Sequence, residues 1–544
     1  MSSTKIKHTL TRGGALLLAA GLCFCMLALG GCNEDDGSGK VINFPLEEAP
    51  RKLDPAVARS PEELLVVGNC MEGLVRQDAD GKLVPGVAQR WEISADGRVL
   101  TFHLRGDNHW RLPDGAQALM GEEGLRAMGA LVPKEEGAPI YAPVTAEDFV
   151  FGLRRGMPEG AFAVRAAGRH TLEITLEQPG GGAFLYALAR GVAMPCNRAY
   201  FEASGGRYGL APEYLPCNGP FYLDRMGDAL TRLKPNGGYR AGEGEGALPA
   251  TVNLWTEPDA FLRARLVGTE YDAAIVPAEM DAAAPEGVAS LALKNGTLAL
   301  VFNCGEGALE DVSVRVALCA ALEPGALGDA VLRDGVPGLL PDGMRAGEAN
   351  YREAAGPCDG IAYNLARANA LAAGANALTG ANALTGVGEK ISLMLICAPE
   401  YETLLRRALQ AWQKVFRLGL DARIEVLEPE ELLERLEDGA FDVAVAELRM
   451  EHSSAPEALR ALEGDGSPAR YRSAALETLL DAAARSGDAA RACLQAEEHL
   501  LQNGVFYPLE ARSGRLLTAP GVEGLAVSPV GDQVFFGGAR KWER

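Results

Sequence analysis

The sequence predicts a mixed α/β protein of several domains, on three observations. A helical pattern opening at Pro61 is followed by a β-meander that runs to Arg105. Alternating strands recur along the chain, as in Thr171-Leu172-Glu173-Ile174-Thr175-Leu176. A long one-faced helical pattern over residues 404–416 leads directly into another strand. The 544 residues leave room for two or three domains with large cores. A hydrophobic content of 48% fits a globular chain.

In order, residues 1–31 read as an export leader. Lys5, Lys7 and Arg12 form a basic start, and Ala15 to Leu29 an apolar run too short for a comfortable membrane span. The run ends in Leu29-Gly30-Gly31-Cys32, the pattern of a bacterial lipoprotein cleavage site, with Cys32 taking the lipid. The competing reading is an uncleaved anchor. Residues 32–40 are a polar tether. The net charge of −21 becomes more negative once the basic leader is set aside, which argues against nucleic-acid binding.

Val41-Ile42-Asn43-Phe44 is the first expected strand. Pro61, Glu62 and Glu63 then open a helix, since proline suits a first turn and acids suit the positive end of the dipole. Ala79-Asp80-Gly81 and Ala95-Asp96-Gly97 mark tight turns. Leu100, Phe102 and Leu104 alternate with polar residues, the period of a half-buried strand. Gly242-Glu243-Gly244-Glu245-Gly246 has no strand before it and no helix after it, so it is a loop and not a dinucleotide site. Leu298 to Asn303 is an apolar strand, and Asp311 opens a helix. The repeated Ala-Asn-Ala-Leu at 368, 375 and 381 is too short for a solenoid unit. Leu404, Leu405, Ala408, Leu409, Trp412, Val415 and Phe416 share one helix face, which Gly419 is expected to end. Ile424 to Leu427 and Phe441-Asp442-Val443-Ala444 are further strands.

No nucleophile elbow, zinc-protease helix, phosphate loop or Cys-x-x-Cys is present, so no enzyme, cofactor or metal is expected. Asp78-Ala79-Asp80-Gly81 is half of a calcium-loop pattern without its later ligands and reads as a turn. His103 and His109 read as surface residues. Of the cysteines beyond Cys32, Cys196 with Cys217 is the one pair considered for a disulfide.

The order of short motifs carries a resemblance. Leu53-Asp54-Pro55, Glu72-Gly73-Leu74, Val84-Pro85-Gly86-Val87-Ala88, Trp91, Asp96-Gly97, Thr101-Phe102-His103-Leu104-Arg105, Trp110, Asp114-Gly115 and Val144-Thr145-Ala146-Glu147-Asp148-Phe149 follow one another. In that order they resemble the family 5 solute-binding proteins of ABC transporters, the oligopeptide- and dipeptide-binding group. The resemblance implies a two-lobed periplasmic-binding-protein-like fold of class II, cluster C. Domain I would comprise residues 41–62, 189–292 and 509–544, domain II 63–188 and domain III 293–508. Crossovers near 189, 292 and 508 would form the hinge. Residues 116–143 depart from the family pattern as an insertion.

The resemblance also implies a ligand site. Seven residues beyond Ala444, counted without gaps, lies Glu451, where peptide-binding members hold the ligand's α-amino group. Glu447, Arg449 and Glu451 alternate and so share a strand face; Arg449 is expected either to line the site or to neutralise Glu451. Ala58-Arg59-Ser60-Pro61 falls where the family presents backbone groups to an extended ligand. Asn218-Gly219-Pro220-Phe221 matches a turn at the cleft rim, placing Asn218 and Phe221 beside the ligand. The expected partners are a peptide, a permease with its ATPase, and the membrane through the lipid on an exported monomer. A peptide-sensing role for a signalling receptor is the second reading, and nickel, haem or a small amine are other ligands bound by relatives.

Overall fold

The computed structural model describes residues 40–542 apart from 79–80, 136, 158–159, 161, 241–246, 324, 328–337, 348, 379–389, 451–452, 486–487, 529 and 531–532. Three main sheets organise it. The first is four-stranded in the order Val41–Leu46, Thr251–Thr256, Leu230–Pro235, Phe221–Arg225, with only the first pair parallel. The second is antiparallel, in the order Ala88–Ile93, Val99–Leu104, Thr171–Leu176, Phe162–Gly168. The third has six strands, ordered Ala273–Pro277, Phe506–Thr518, Ala289–Phe302, Val443–Arg449, Ile391–Cys397, Leu420–Val426.

The first two sheets share one continuous core. Phe44, Leu254 and Phe221 from one sheet and Phe102, Leu172 and Ile174 from the other belong to the same packed cluster. Leu185, Leu188 and Ala193 lie inside it, so the expected crossover near 189 is internal to one lobe and not a hinge. The resembling motifs act here as ties. Asp54 is held by Arg155, with one contact at 3.1 Å. Thr145 caps the helix Ala146–Gly156 in a capping box with Asp148. Buried Asp148 also accepts from Trp110 Nε1 at 3.3 Å and Asn197 Nδ2 at 2.9 Å. Burial pushes its carboxyl above the usual range, against those hydrogen bonds. The insertion forms a helix, Ala116–Ala127, broken at Gly121 (φ 67°), and returns as the strand Tyr141–Pro143 against His109–Arg111.

The second lobe is built on the far half of the six-stranded sheet, covered on both faces. Leu298, Leu300 and Phe302 enter one core with Trp412 and Leu405. Ala299 and Val301, pointing the other way, enter another with Leu459, Leu480 and Leu500. A strand buried on both faces reads as an unbroken apolar run, which is what Leu298–Phe302 is. The amphipathic helix spans Glu402–Phe416. Its stop lies earlier than Gly419: Arg417 takes φ 52° and a short turn, Arg417–Gly419, leads into the next strand.

Two strands join the lobes. Ala289–Phe302 is 14 residues long and Phe506–Thr518 is 13, against the six residues read from sequence for the former. Their near ends pair with each other and, through Phe506–Thr518, with Ala273–Pro277 beside a small core of Ala264, Val276 and Leu517. Their far ends lie in the second lobe. Between them the ladder slips twice, between Lys294 and Gly296 and between Leu298 and Ala299. Bulges bend and twist a ladder, and the expected crossovers near 292 and 508 fall within these two strands rather than in loops.

Candidate functional site

Where these long strands cross from lobe to lobe they floor a half-open cleft of about 240 Å³. Its walls come from Phe44–Glu47 at the end of the first strand, Pro61, Glu62 and Leu65 of the helix Pro61–Cys70, the segment Ile275–Glu279, Glu447 and Arg449, and Glu510–Gly514.

The lining is unusually charged. Glu47, Glu62, Glu279, Glu447 and Glu510 face Arg263, Arg449 and Arg512, leaving carboxylates in excess. Arg263 is committed internally, bonding Glu47 at 2.9 Å and the carbonyls of Glu257 and Pro258 at 2.8 and 3.1 Å. Arg449 Nε lies 3.3 Å from Glu447 and Arg512 Nη1 3.6 Å from Glu510. Burial raises the carboxyl of Glu62, and the negative charges of Glu47 and Glu48 add to it, against hydrogen bonds from its own backbone and Ser60. Burial opposes the charge on Arg512, but Tyr401, Glu447, Glu510 and Glu279 outweigh it and the guanidinium is held more firmly protonated than usual.

The structure sorts the residues expected from sequence. Glu447 and Arg449 both line the cleft on one strand face, while Leu448 between them is buried. Glu451 lies outside the described residues, as does Cys32. Ser60 is the cap of Pro61–Cys70, its hydroxyl accepting from Glu63 N at 3.2 Å. The Glu63 carboxylate takes the N–H groups of Lys52, Arg59 and Ser60 at 2.9, 3.0 and 3.4 Å. Of the expected segment Ala58-Arg59-Ser60-Pro61, the N–H groups of Arg59 and Ser60 serve the helix start and are not offered to a ligand, while Pro61, with Glu62 just beyond it, lines the cleft.

Asn218 and Phe221 are also corrected. Both are fully buried. Asn218 accepts from Glu72 N at 3.1 Å and donates to Glu72 O at 2.9 Å and Asn108 Oδ1 at 3.2 Å, a set that consumes the amide. Phe221 packs in the shared core. The pairing considered for Cys196 is not realised: its thiol lies 3.5 Å from Arg155, and Cys217 meets Cys70 instead. Sequence reasoning missed Glu62, Glu279, Glu510 and Arg512. In Leu509-Glu510-Ala511-Arg512-Ser513 the alternation of charged with apolar or small residues was available as a signal, but only the fold shows which face meets the cleft. Among the described residues no group of three or more His, Cys, Asp or Glu is arranged to hold a metal, and no helix is long and apolar enough to cross a membrane.

Two lobes joined by two long paired strands, with a charged cleft where they meet, make up this architecture. The chain belongs to the bacterial extracellular solute-binding proteins, family 5, whose central model matches residues 82–468. It is 26% identical over 245 residues to the oligopeptide-binding protein SarA of Streptococcus gordonii, covering 39% of this chain and 33% of that one. It is 30% identical over 201 residues to the periplasmic murein peptide-binding protein MppA of Escherichia coli, covering 36% of each. The aligned stretches thus span about a third of the length of these curated relatives. The structure of Listeria monocytogenes OppA bound to peptide superposes with a TM-score of 0.68 at 19% identity, over 93% of this chain and 100% of that one. The shared architecture is the two-lobed, mixed α/β fold of the family.

Proposed function

We propose that the chain is the substrate-binding lipoprotein of an ABC importer, enclosing a peptide with a positively charged group and delivering it to a permease driven by an ATPase. The observation that carries this reading is the cleft at Glu47, Glu62, Glu279, Glu447 and Glu510, where carboxylates outnumber guanidiniums. A cation entering such a partly dry site gains charge-assisted hydrogen bonds stronger than those in water. The strand Phe506–Thr518 supports the peptide. Ala273–Pro277 reaches along one of its edges only to Gly514, so among the described residues the stretch Glu510–Ser513 at the cleft has no strand on that side. An extended chain pairs with such an edge through its backbone, whatever its side chains. The names of SarA and MppA point to the same ligand class.

Titration calorimetry with a lysine-containing tetrapeptide and its fully acetylated form tests the reading. The free peptide is expected to bind, and acetylation to weaken binding at least tenfold. Equal affinities, or binding of neither while a sugar or a metal complex binds, reject it. The anchor rests on Leu29-Gly30-Gly31-Cys32. Labelled palmitate should enter the wild type and not Cys32→Ala, and equal labelling rejects the anchor alone.

A further inference from the structure

Cys70 and Cys217 lie far apart in sequence, yet their thiols are neighbours in the core, at 0% and 1% exposure, with Cys217 Sγ donating to Leu215 O at 3.4 Å. The backbone holds them there. Gly219 N donates to Cys70 O at 3.0 Å, and Gly219 sits so close that a Cβ would meet Met71 N and Cys70 C at 2.7 and 2.8 Å. The residue between, Asn218, is locked to Glu72 by the reciprocal pair of bonds described above. Cys217 is itself bridged to Arg111, with N–H to carbonyl bonds of 2.7 and 3.1 Å in the two directions. Neither thiol therefore owes its position to a mobile segment. Among the other buried thiols, Cys196 faces Arg155 and Tyr208, Cys493 lies near Glu497, and Cys319 has Arg315 and the half-buried Cys304 in its surroundings.

We infer that Cys70 and Cys217 are a disulfide site, closed during folding by exchange with an external disulfide. The bridge would fasten the last residue of the helix Pro61–Cys70 to the segment leading into the strand Phe221–Arg225. It would enclose everything from Met71 to Pro216, which includes the whole second sheet and the insertion. The two points where the chain leaves the first sheet and comes back would thus be joined covalently.

The chemistry balances through two exchanges. The thiolate of one cysteine attacks a glutathione disulfide or the disulfide of an exported oxidoreductase, forming a mixed disulfide and expelling one thiol. The second cysteine's thiolate then attacks the protein sulfur of that mixed disulfide, and the second thiol leaves. Two electrons pass to the oxidant, and the two protons end on the released thiols. Burial, reinforced by the Cys217 contact, keeps Cys70 protonated in the folded protein. Both thiols are buried out of reach of an external disulfide, so the attacking thiolate and its oxidant meet before this core closes.

The test is refolding of the full chain from denaturant in a mixture of oxidised and reduced glutathione, followed by acid quenching, denaturation and iodoacetamide alkylation. Peptide mass mapping is expected to find Cys70 and Cys217 joined in one linked pair, two hydrogens lighter than the free peptides. Both should accept the alkyl group only after phosphine reduction, while Cys319 accepts it without reduction. Reductant should lower the melting temperature of this refolded protein by several degrees, and should leave a Cys70→Ala/Cys217→Ala double variant unmoved. Free alkylation of Cys70 and Cys217 to the extent seen at Cys319, or a linked pair of Cys196 with Cys217, overturns the inference.

Discussion

Ser453 Oγ donates to Gln77 Oε1 at 2.5 Å, joining residues 376 positions apart and on opposite lobes. Gly81 O lies 3.2 Å from the same hydroxyl. Beside this contact the helix Ala455–Ala461 packs on Gly181–Ala187, and Glu457 interacts with Arg190. These contacts form a clasp between the lobes, away from the cleft. Ser453→Ala removes a hydrogen bond worth about 1 kcal/mol net, so a ligand that requires closure should bind about fivefold more weakly. Calorimetry reads the affinity and small-angle scattering the expansion of the unliganded protein; unchanged values in both would show that the clasp carries no closure energy.

Glu457 makes the same clasp sensitive to pH. Burial raises its carboxyl above the ordinary value, outweighing the opposite effect of Arg460 and Arg190. The folded form then binds a proton more readily than the unfolded chain. Its contribution is most favourable below the ordinary carboxylate value and is lost as pH rises through the raised one. Glu457→Gln should match the wild type in melting temperature near pH 4 and exceed it near pH 7, where the wild type alone is burdened by a buried charge (both values approximate). A constant difference across that range would remove Glu457 as the source.

Gly296 sits at the first ladder slip between the two long strands. A Cβ there would drive into the Leu448 carbonyl oxygen and press on Arg449 Cα at 3.1 Å. The obstacle is backbone of a paired strand, which cannot swing aside. Gly296→Ala should cost about 1–3 kcal/mol in urea unfolding, as overpacking does. It should also disturb Arg449 at the cleft. A fully stable variant with normal ligand affinity would place hinge flexibility elsewhere.

Glu497 is the buried charge on which the second lobe depends. At 0% exposure it accepts from Leu339 N at 2.6 Å, Leu340 N at 2.9 Å, Tyr351 OH at 2.5 Å and Arg352 at 3.0 Å. Removing one member of such a pair leaves the other uncompensated, so Glu497→Ala should lose about 3–5 kcal/mol. A chemical denaturation midpoint within error of the wild type would contradict this.

The exposed pair at the cleft behaves differently. Arg449 is 56% exposed and its ion pair with Glu447 is worth about 0–1 kcal/mol. Glu447→Gln should hardly change unliganded stability, yet should diminish the stabilisation that a cationic peptide confers in thermal melts. Loss of stability without ligand, with ligand stabilisation intact, would make Glu447 purely structural.

Taken alone, the sequence determined the secondary elements and the family, because both are written locally. The alternation at Leu100, Phe102 and Leu104, the helix face from Leu404 to Phe416 and the capping box at Thr145 are set by neighbours a few residues away. The alternation of Glu447 with Arg449 was legible for the same reason, and it put both on the cleft wall. Tertiary structure decided what depends on distant partners. Asn218 and Phe221 looked like rim residues until Glu72, Asn108 and the shared core claimed them. The donors of Arg59 and Ser60 looked available until Glu63 took them. Cys217 met Cys70 rather than Cys196, and the expected crossovers near 292 and 508 fell inside two long paired strands rather than in loops. Periodicity records which side of an element is apolar. It does not record which element covers that side, and that choice fixes the cores, the cleft and the clasp.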